Sequence, residues 1–242
     1  MRLRGKVALV PGGYGGLGAA VCRGLAAEGA RVIIAGRSYD KALSLAKRIR
    51  GATPMELDVR DVPSIRRAVG ALKKLDLLVN CVGIQREQPV DEVTEDAWDE
   101  LYRTNLKAAM FLAQAAAKKQ KRGGKQVHLL SVRAQLGLRG RGYSAYCSTK
   151  GGLVMLIRQH ASELGPRGIC VNGVAPTVVR TEMGAHWLKN PKTRAWLQER
   201  IPLGRVAEPA DVVGAVLFFC SPASDYVTGQ VLYVDGGITA SQ

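Results

Sequence analysis

The sequence predicts an α/β fold built on a doubly wound, seven-stranded parallel sheet with helices on both faces. Seven apolar segments bounded by Gly, Asp or Asn recur along the chain, and helix-length segments separate them. Strands that are apolar throughout indicate a parallel sheet covered on both faces. In such a sheet the ligand site lies at the carboxyl ends of the strands, where the strand order reverses. The predicted strands cover residues 6–11, 30–36, 54–58, 75–80, 125–131, 168–176 and 230–237.

Length and composition fit one domain. A chain of 242 residues with 47% hydrophobic residues is long enough to bury a full core. No linker, internal repeat or low-complexity segment interrupts the sequence. We therefore expect a single domain over residues 1–242.

The net charge of +15 is strongly basic. Apart from a basic run at residues 117–125, the Lys and Arg residues are scattered along helix-like segments without interleaved aromatic residues. This distribution argues against a nucleic-acid partner, and it favours a basic face toward an anionic small molecule or carrier.

Targeting and metal signals are missing from the sequence. No apolar run reaches the roughly 18 residues that a membrane span requires, and the apolar stretch after Met1 is too short for a signal peptide. The five cysteines are widely spaced and include no CxxC pair, which is typical of reduced core thiols. We expect a cytoplasmic protein with no membrane partner and no metal site.

The first predicted strand leads into a glycine-rich turn. Five of seven consecutive residues are glycine, although each glycine in an ordered element costs about 0.5–1 kcal/mol relative to Ala. Gly13, Gly15 and Gly18 fit the spacing GxGxxG, and Gly12, Gly16 and Gly18 fit the spacing GxxxGxG. Both registers aim backbone N–H groups and a helix N-terminus at a pyrophosphate, with close helix packing as the alternative explanation. A Walker A loop is excluded because no Gly-Lys-Ser/Thr follows.

The end of the second predicted strand indicates which dinucleotide the chain prefers. NAD-binding proteins place a carboxylate there to hold the ribose 2′-OH, whereas this chain has Gly36 followed by Arg37. An uncharged position followed by a guanidinium suits a 2′-phosphate, because Arg pairs with phosphate in bidentate geometry. An ordinary solvated arginine is the alternative, and we expect NADP(H).

Tyr146 and Lys150 are four residues apart and share one face of any helix that contains both. A phenol with a pKa of about 10 is a poor acid or base at neutral pH, but a neighbouring ammonium group favours the phenolate and lowers that pKa. The pair predicts general acid–base catalysis, in which Tyr146 protonates a carbonyl oxygen or deprotonates an alcohol.

With these motifs in order over nearly its full length, the chain resembles the short-chain dehydrogenases/reductases. Gly12, Gly16 and Gly18 match their TGxxxGxG motif, NCVG from Asn80 stands where NNAG is usual, and residues 176–181 match the PGxxxT segment that cradles the nicotinamide. The resemblance implies a Rossmann-like fold and an NADP(H)-dependent oxidoreductase that acts on a ketone or secondary alcohol.

The resemblance also implies roles for individual residues. Asn105, Ser131, Tyr146 and Lys150 match the catalytic set, in which Ser131 hydrogen-bonds the reacting oxygen, Asn105 holds a water that leads to Lys150, and Lys150 binds the nicotinamide ribose. Asp58 matches the residue that touches the adenine. The implied cofactor contacts are Gly12, Tyr14, Gly16, Leu17, Gly18, Arg37, Asp58, Val59, Asn80, Gly83, Tyr146, Lys150, Pro176, Val179 and Thr181.

Four residues depart from the family pattern near the cofactor segments. Pro11 replaces the Thr of the glycine motif, Cys81 and Val82 replace Asn and Ala, and Thr177 replaces the Gly after the proline. Pro11 thereby lacks both a hydroxyl and a backbone N–H. The changes concern cofactor support and leave the proton-transfer residues intact.

A substrate lid over residues 181–205 and a homotetramer are further implications of the resemblance. Trp187 and Trp196 in the lid either pack it onto the body or contact the substrate. Ser131 and Tyr146 lie 15 residues apart, more than the family's common spacing, so the intervening loop is expected to form a substrate wall. The tetramer would use the helices that carry Asn105 and Tyr146, together with residues 209–237.

Two substrate classes fit the sequence. The chain resembles both the 3-oxoacyl-carrier-protein reductases and sugar-acid dehydrogenases of the gluconate 5-dehydrogenase type. Arg122 and Arg167 stand where the former place residues that meet an acidic carrier, and each also fits a solvated charge after a helix. We expect a 3-oxoacyl-reductase-like ketoreductase for a small ketone or alcohol. An acyl thioester and a sugar acid or polyol are the alternative substrates. The alternative outside the enzymes is a regulator that binds NADP without catalysing a reaction.

Overall fold

Seven parallel strands form one sheet in the computed structural model, which describes residues 1–241. They are β1 (Val7–Pro11), β2 (Arg31–Gly36), β3 (Ala52–Glu56), β4 (Leu77–Asn80), β5 (Lys125–Leu129), β6 (Cys170–Pro176) and β7 (Val231–Val234). Their order in the sheet is β3-β2-β1-β4-β5-β6-β7. The winding therefore reverses between β1 and β4, and a crevice opens at their carboxyl ends. The predicted doubly wound fold is confirmed.

Helices fill the connections between the strands. Within residues 1–241 they are α1 (Gly16–Ala27), α2 (Tyr39–Ala46), α3 (Val62–Gly70), α4 (Glu95–Leu101), α5 (Ala108–Lys119), α6 (Ser144–Leu164), α7 (Ala185–Lys189), α8 (Pro191–Arg200) and α9 (Pro209–Cys220). Ser38, Asp61 and Thr94 cap α2, α3 and α4, because each side chain accepts a hydrogen bond from a backbone N–H of the first turn. A π-helical segment, Tyr102–Lys107, joins α4 to α5. None of the described helices is long and apolar enough to span a membrane.

The strands bury apolar side chains on both faces of the sheet. In β1, Ala8 and Val10 belong to the core packed by α1, α2 and α9. Leu9 points the other way, into the core packed by α3 and α5. On this second face α6 packs against β6 through Leu153 and Ile157. This two-sided burial explains the near-continuous apolar strands of the sequence.

The strand ends differ from the prediction by a few residues. The segment predicted at residues 230–237 is extended only to Val234, because Asp235 accepts hydrogen bonds from the backbone N–H groups of Gly237 and Thr239 and starts a turn. The predicted domain also includes Gln242, which lies outside the described residues.

Candidate active site

A cleft of about 770 Å³ opens at the carboxyl ends of β1, β4 and β5. It lies at the reversal of strand order and has the volume of an ordinary small-molecule site. The glycine turn and the ends of β2 and β3 form one half of its wall, and the start of α6 together with α7 and α8 forms the other.

The glycine turn packs so closely that side chains are excluded. Gly12 has a φ of +74°, and a Cβ added there would lie 2.9 Å from the carbonyl carbon of Cys81. A Cβ on Gly18 would collide with the carbonyl oxygen of Gly12. Gly16 begins α1 and faces the side chain of Thr181, 2.9 Å from the added Cβ. These positions correspond to the Gly12, Gly16 and Gly18 register.

In the alternative register Gly15 and Gly18 line the cleft and Gly13 does not. Gly13 is buried, and a Cβ added there would lie 2.7 Å from the carbonyl oxygen of Val10. Gly13 is therefore required by packing beneath the turn, whereas Gly12, Gly16 and Gly18 line the cleft.

The turn keeps its anchorage although Pro11 replaces the usual threonine. The backbone N–H of Gly12 donates to the carbonyl of Ala35 at 2.8 Å, and the N–H of Cys81 donates to the carbonyl of Pro11 at 3.0 Å. The turn is thus tied to β2 on one side and to the end of β4 on the other. No side chain caps α1, and its first residues, Gly16, Leu17 and Gly18, line the cleft. This cradle fits a dinucleotide pyrophosphate.

The outer end of the cleft is lined by Tyr14, Arg37 and Asp58. Asp58 follows β3, and Arg60 binds it with two hydrogen bonds of 3.1 Å from Nε and 2.8 Å from Nη2. These hydrogen bonds lower the pKa of Asp58, so the carboxylate remains charged. Val59 also lines this end. Arg60 was not identified from the sequence. The turn after β3 places its guanidinium on the carboxylate of Asp58, two residues earlier.

Asn80 lies beneath the cleft. Its Oδ1 accepts from the backbone N–H of Val82 at 3.1 Å, and its Nδ2 lies 3.4 Å from Nδ1 of the buried His128. The exposed fraction of Asn80 is 2%, and the residues that follow it, including Gly83, line the wall instead. Asn80 therefore shapes the loop from below, and its cofactor contact stays a prediction.

Ser131 and Tyr146 meet inside the cleft despite their separation in sequence. Ser131 follows the end of β5 and caps a short 3₁₀ turn, where its Oγ accepts from the N–H of Arg133 at 3.2 Å. Tyr146 lies in the first turn of α6 and is 7% exposed. Burial raises the pKa of Tyr146 to about 12, and a hydrogen bond with Ser131 opposes this rise. The Tyr146 hydroxyl therefore keeps its proton at neutral pH.

Lys150 lies one helical turn after Tyr146, as predicted. Its Nζ is 5.7 Å from the centre of the tyrosine ring and donates to the carbonyl of Leu129 at 2.9 Å. Burial lowers the pKa of Lys150 to about 8. In this geometry the Tyr146 pKa lies above its ordinary value and not toward neutrality, so burial outweighs the effect expected of this ammonium group. Burial dominates the Tyr146 pKa, and Ser131 provides the largest opposing effect.

Asn105 lies in the π-helical segment. Nothing in the neighbouring sequence predicted that this segment would be π-helical. Its Oδ1 accepts from the N–H of Ile84 at 2.9 Å, while its Nδ2 donates to the Ile84 carbonyl at 3.0 Å and to Thr149 Oγ1 at 3.2 Å. The side chain is 1% exposed. It pins the loop after β4 to the start of α6, so that Ile84 and Gly83 form the cleft wall beside Lys150.

Aromatic and charged residues close the deep end of the cleft. Tyr143 accepts from Gln85 Nε2 at 2.7 Å and donates to Glu87 at 3.1 Å. Its ring lies 6.4 Å from that of Trp187, and Arg141 lies 4.5 Å above the Trp187 ring. Trp187 is 7% exposed and also lines the cleft, so its ring is packed within the protein and still faces the cleft.

Two arginines add positive charge to this end. Arg133 lines the cleft, and its Nη1 donates to the carbonyl of Leu136 at 3.1 Å. Burial and the nearby Arg200 lower the Arg133 pKa, and no carboxylate is among the described groups that shift it. Arg200, at the end of α8, lies 4.8 Å above the ring of Trp196. Both arginines were missed in the sequence, because only the fold brings them into the wall of the cleft.

The segment after β6 connects the two halves of the cleft. Pro176, Val179 and Thr181 all line its wall, and Thr181 touches the glycine turn at Gly16. Thr177, which replaces the usual glycine, donates its backbone N–H to the carbonyl of Val234 at 3.4 Å. The structure thus places this segment beside the turn, and Leu17 lines the wall between them.

Similar proteins match this chain over its whole length. A family model described as Enoyl-(Acyl carrier protein) reductase matches residues 13–239. L-xylulose reductase from Bos taurus is 40% identical over 243 residues, covering 100% of this chain and 99% of that protein. Gluconate 5-dehydrogenase from Gluconobacter oxydans (strain 621H) is 38% identical over 250 residues, covering 99% of this chain and 96% of that protein.

Solved structures share the fold. A gluconate 5-dehydrogenase from Burkholderia cenocepacia, crystallised in complex with NADP and tartrate, superposes with a TM-score of 0.94 at 34% sequence identity. The match covers 100% of this chain and 98% of that one. The similarity therefore includes the glycine turn, the strand ends and residues 181–205 alike.

Proposed function

The chain belongs to the short-chain dehydrogenase/reductase family, and from that membership we propose that it reduces a small polyhydroxylated ketone with NADPH. As a member it is an oxidoreductase that interconverts a carbonyl group and an alcohol. One observation carries the proposal. Ser131, Tyr146 and Lys150 line the same cleft as the glycine turn.

Tyr146 acts as the proton donor in this proposal. With a pKa raised to about 12 it holds its proton at neutral pH and can give it to a carbonyl oxygen in the cleft. Ser131 orients the phenol through their hydrogen bond and offers its hydroxyl to the oxygen on which negative charge develops. Lys150 supplies a positive charge that stabilises the tyrosinate left after proton transfer. The bound dinucleotide supplies the hydride for reduction or accepts it for oxidation.

NADP(H) is the cofactor that the end of β2 supports. Gly36 offers no carboxylate for a ribose diol, and Arg37 lines the cleft directly after it. Charge-assisted hydrogen bonds to a 2′-phosphate contribute about 1.5–3 kcal/mol, which corresponds to a preference of roughly 10- to 150-fold over NADH. The NADP in the similar gluconate 5-dehydrogenase structure is consistent with this choice.

A ketose or keto sugar acid is the substrate class that we favour over an acyl thioester. The similar proteins carry the names L-xylulose reductase and gluconate 5-dehydrogenase. Arg133 brings a positive charge that a substrate carboxylate would match. Arg122 and Arg167, the candidate carrier contacts, are exposed; Arg167 donates to the Ala117 carbonyl, and Arg122 packs against Gly168.

We also propose that residues 181–205 form the lid and that the chain assembles into a tetramer. The lid segment holds α7 and α8, and Trp187 and Trp196 face the cleft from it. The faces of α5 and α6 that lie away from the sheet border a surface cavity of about 670 Å³ that Phe111 and Met155 help to line. Met155 is 58% exposed, so a second copy that covers it would bury apolar surface.

A substrate panel tests the proposed function. Purified protein with NADPH should reduce keto sugar acids or ketoses, and Tyr146→Phe should retain NADPH binding but lose turnover by roughly 10²- to 10⁴-fold. A loss below about tenfold would exclude Tyr146 as the donor. Tight NADPH binding without turnover on any ketone would instead favour a regulator.

A further inference from the structure

Tyr14 occupies the space that a side chain at position 36 would fill. A Cβ added to Gly36 would lie 2.8 Å from Cζ and 2.9 Å from Oη of Tyr14, closer than real Cβ contacts. Tyr14 belongs to the glycine turn, and Gly36 is the last residue of β2. The ring thus keeps the end of β2 without a side chain.

A hydrogen bond holds the ring in this place. The backbone N–H of Ser38 donates to Tyr14 Oη at 3.2 Å. Ser38 also caps α2 through its side chain, so the tyrosine is bonded to a fixed point of the backbone. A side chain at position 36 would fit only if the ring rotated away and gave up this bond.

The hydroxyl hydrogen of Tyr14 remains available to a ligand. A phenol oxygen can accept and donate at once, and Ser38 uses only its accepting capacity. Among the described residues this hydroxyl donates no hydrogen bond and only accepts the one from Ser38. Tyr14 and the exposed Arg37 line the same end of the cleft. Asp58, the carboxylate that acts electrostatically on Arg37, is already bound by Arg60.

We propose that Tyr14 is a second determinant of cofactor choice beside Arg37. Its ring excludes a carboxylate-bearing side chain from position 36, and its hydroxyl donates a hydrogen bond to the 2′-phosphate of a phosphorylated adenosine. The inference rests on the proposed function, since it assigns the selectivity of the same dinucleotide site. A purely structural Tyr14 would pack on Gly36 and contribute nothing to phosphate binding.

Removal of the hydroxyl separates these two roles. Tyr14→Phe keeps the ring, and the half-buried Ser38 N–H loses its protein acceptor. Calorimetry should compare adenosine 2′,5′-bisphosphate with adenosine 5′-monophosphate, which differ only in the 2′-phosphate and need no turnover. We expect Tyr14→Phe to reduce the affinity ratio of the two ligands about tenfold, as for one hydrogen bond to a charged group, and to leave monophosphate binding unchanged. Tyr39→Phe, on the exposed side of α2, is the matched control and should leave the ratio unchanged.

A double-mutant cycle tests the steric role. Gly36→Asp alone should lose NADPH affinity without gaining NADH affinity, because Tyr14 blocks the new carboxylate. Tyr14→Ala together with Gly36→Asp should open the space and bind NADH at least about tenfold more tightly than Gly36→Asp. The wild type and the Tyr14→Ala single variant complete the cycle, and thermal unfolding of all four proteins checks that each is folded.

The outcomes distinguish a failure of the role proposed for Tyr14 from a failure of the proposed NADPH-dependent activity. An affinity ratio that Tyr14→Phe leaves unchanged would overturn the hydroxyl's role, and a Gly36→Asp variant that already prefers NADH would overturn the steric one. If the wild type binds neither NADPH nor the bisphosphate, the proposed function fails and this inference fails with it. Binding of NADPH with the expected losses in the variants supports both.

Discussion

Replacement of Asn105 by alanine tests whether this residue positions the cleft wall or takes part in the reaction itself. Its side chain satisfies both the N–H and the carbonyl of Ile84 and donates to Thr149 as well. Alanine removes all three hydrogen bonds and leaves two backbone groups of the loop without their partner. Ile84 lines the cleft, so the loss should affect substrate or cofactor binding as well as stability.

The magnitude follows from those unsatisfied groups. A buried polar group that loses its partner costs about 1–3 kcal/mol, and water reaches part of the half-buried Ile84 backbone. Together the two groups should lower the free energy of unfolding by about 2–4 kcal/mol. For a chain of this size that corresponds to a fall in Tm of about 4–16 °C. A displaced wall residue should also lower kcat/KM by about 10- to 100-fold.

Asn172→Ala is the matched control. Asn172 is also 1% exposed and likewise bonds two backbone groups, the Val227 carbonyl at 2.8 Å and the Gln230 N–H at 3.0 Å. It is not among the residues that line the cleft. Urea and thermal unfolding at equal protein concentration should show similar destabilisation of both variants, with loss of kcat/KM only in Asn105→Ala. An Asn105→Ala protein of unchanged stability but abolished turnover would refute the positioning argument and favour a direct role in proton exchange.

Lys150→Met should lower turnover by at least about 100-fold and weaken NADPH binding, and an unchanged Kd in a fluorescence titration would exclude the predicted ribose contact. The rate of reduction should fall as the pH rises through about 8, because the lowered pKa of Lys150 means that its stabilising charge is present below that value and lost above it. A kcat profile that stays flat across this pH would contradict the assignment. Met155→Glu places a charge on the exposed apolar face of α5 and α6 and should dissociate the proposed tetramer, as measured by light scattering. A wild type that is already monomeric at micromolar concentration would reject this interface.

The sheet and the glycine turn were predictable because their signals are local. Burial on both faces makes each strand apolar along its length, and the chain repeats this pattern seven times with helix-length spacing. The Tyr146–Lys150 pair was predictable for the same reason, since a spacing of four places two residues on one helical face wherever the helix lies.

The contacts that tune the site were not predictable, because they join distant segments. Nothing near Tyr14 in the sequence indicates that its ring rests on Gly36, and nothing near Asn105 indicates a π-helical turn. The Tyr146 pKa shows the same limit. The sequence gives its charged neighbour, whereas the depth of burial that outweighs this neighbour is a property of the assembled fold.

The structure also shows two different physical reasons for the glycines of this turn. Gly12, Gly13, Gly16 and Gly18 each face an atom at 3.0 Å or less from an added Cβ, so close packing of the turn explains them without any ligand. Gly15 is exposed, and its nearest such contact is an ordinary 3.4 Å. It is the N-cap of α1, where no side chain accepts a hydrogen bond from the first N–H groups. Water can accept from a helix start left open in this way, and a phosphate can replace that water with a charge that suits the helix dipole. The packed glycines therefore explain the fold, and Gly15 with its uncapped helix supports the anion site.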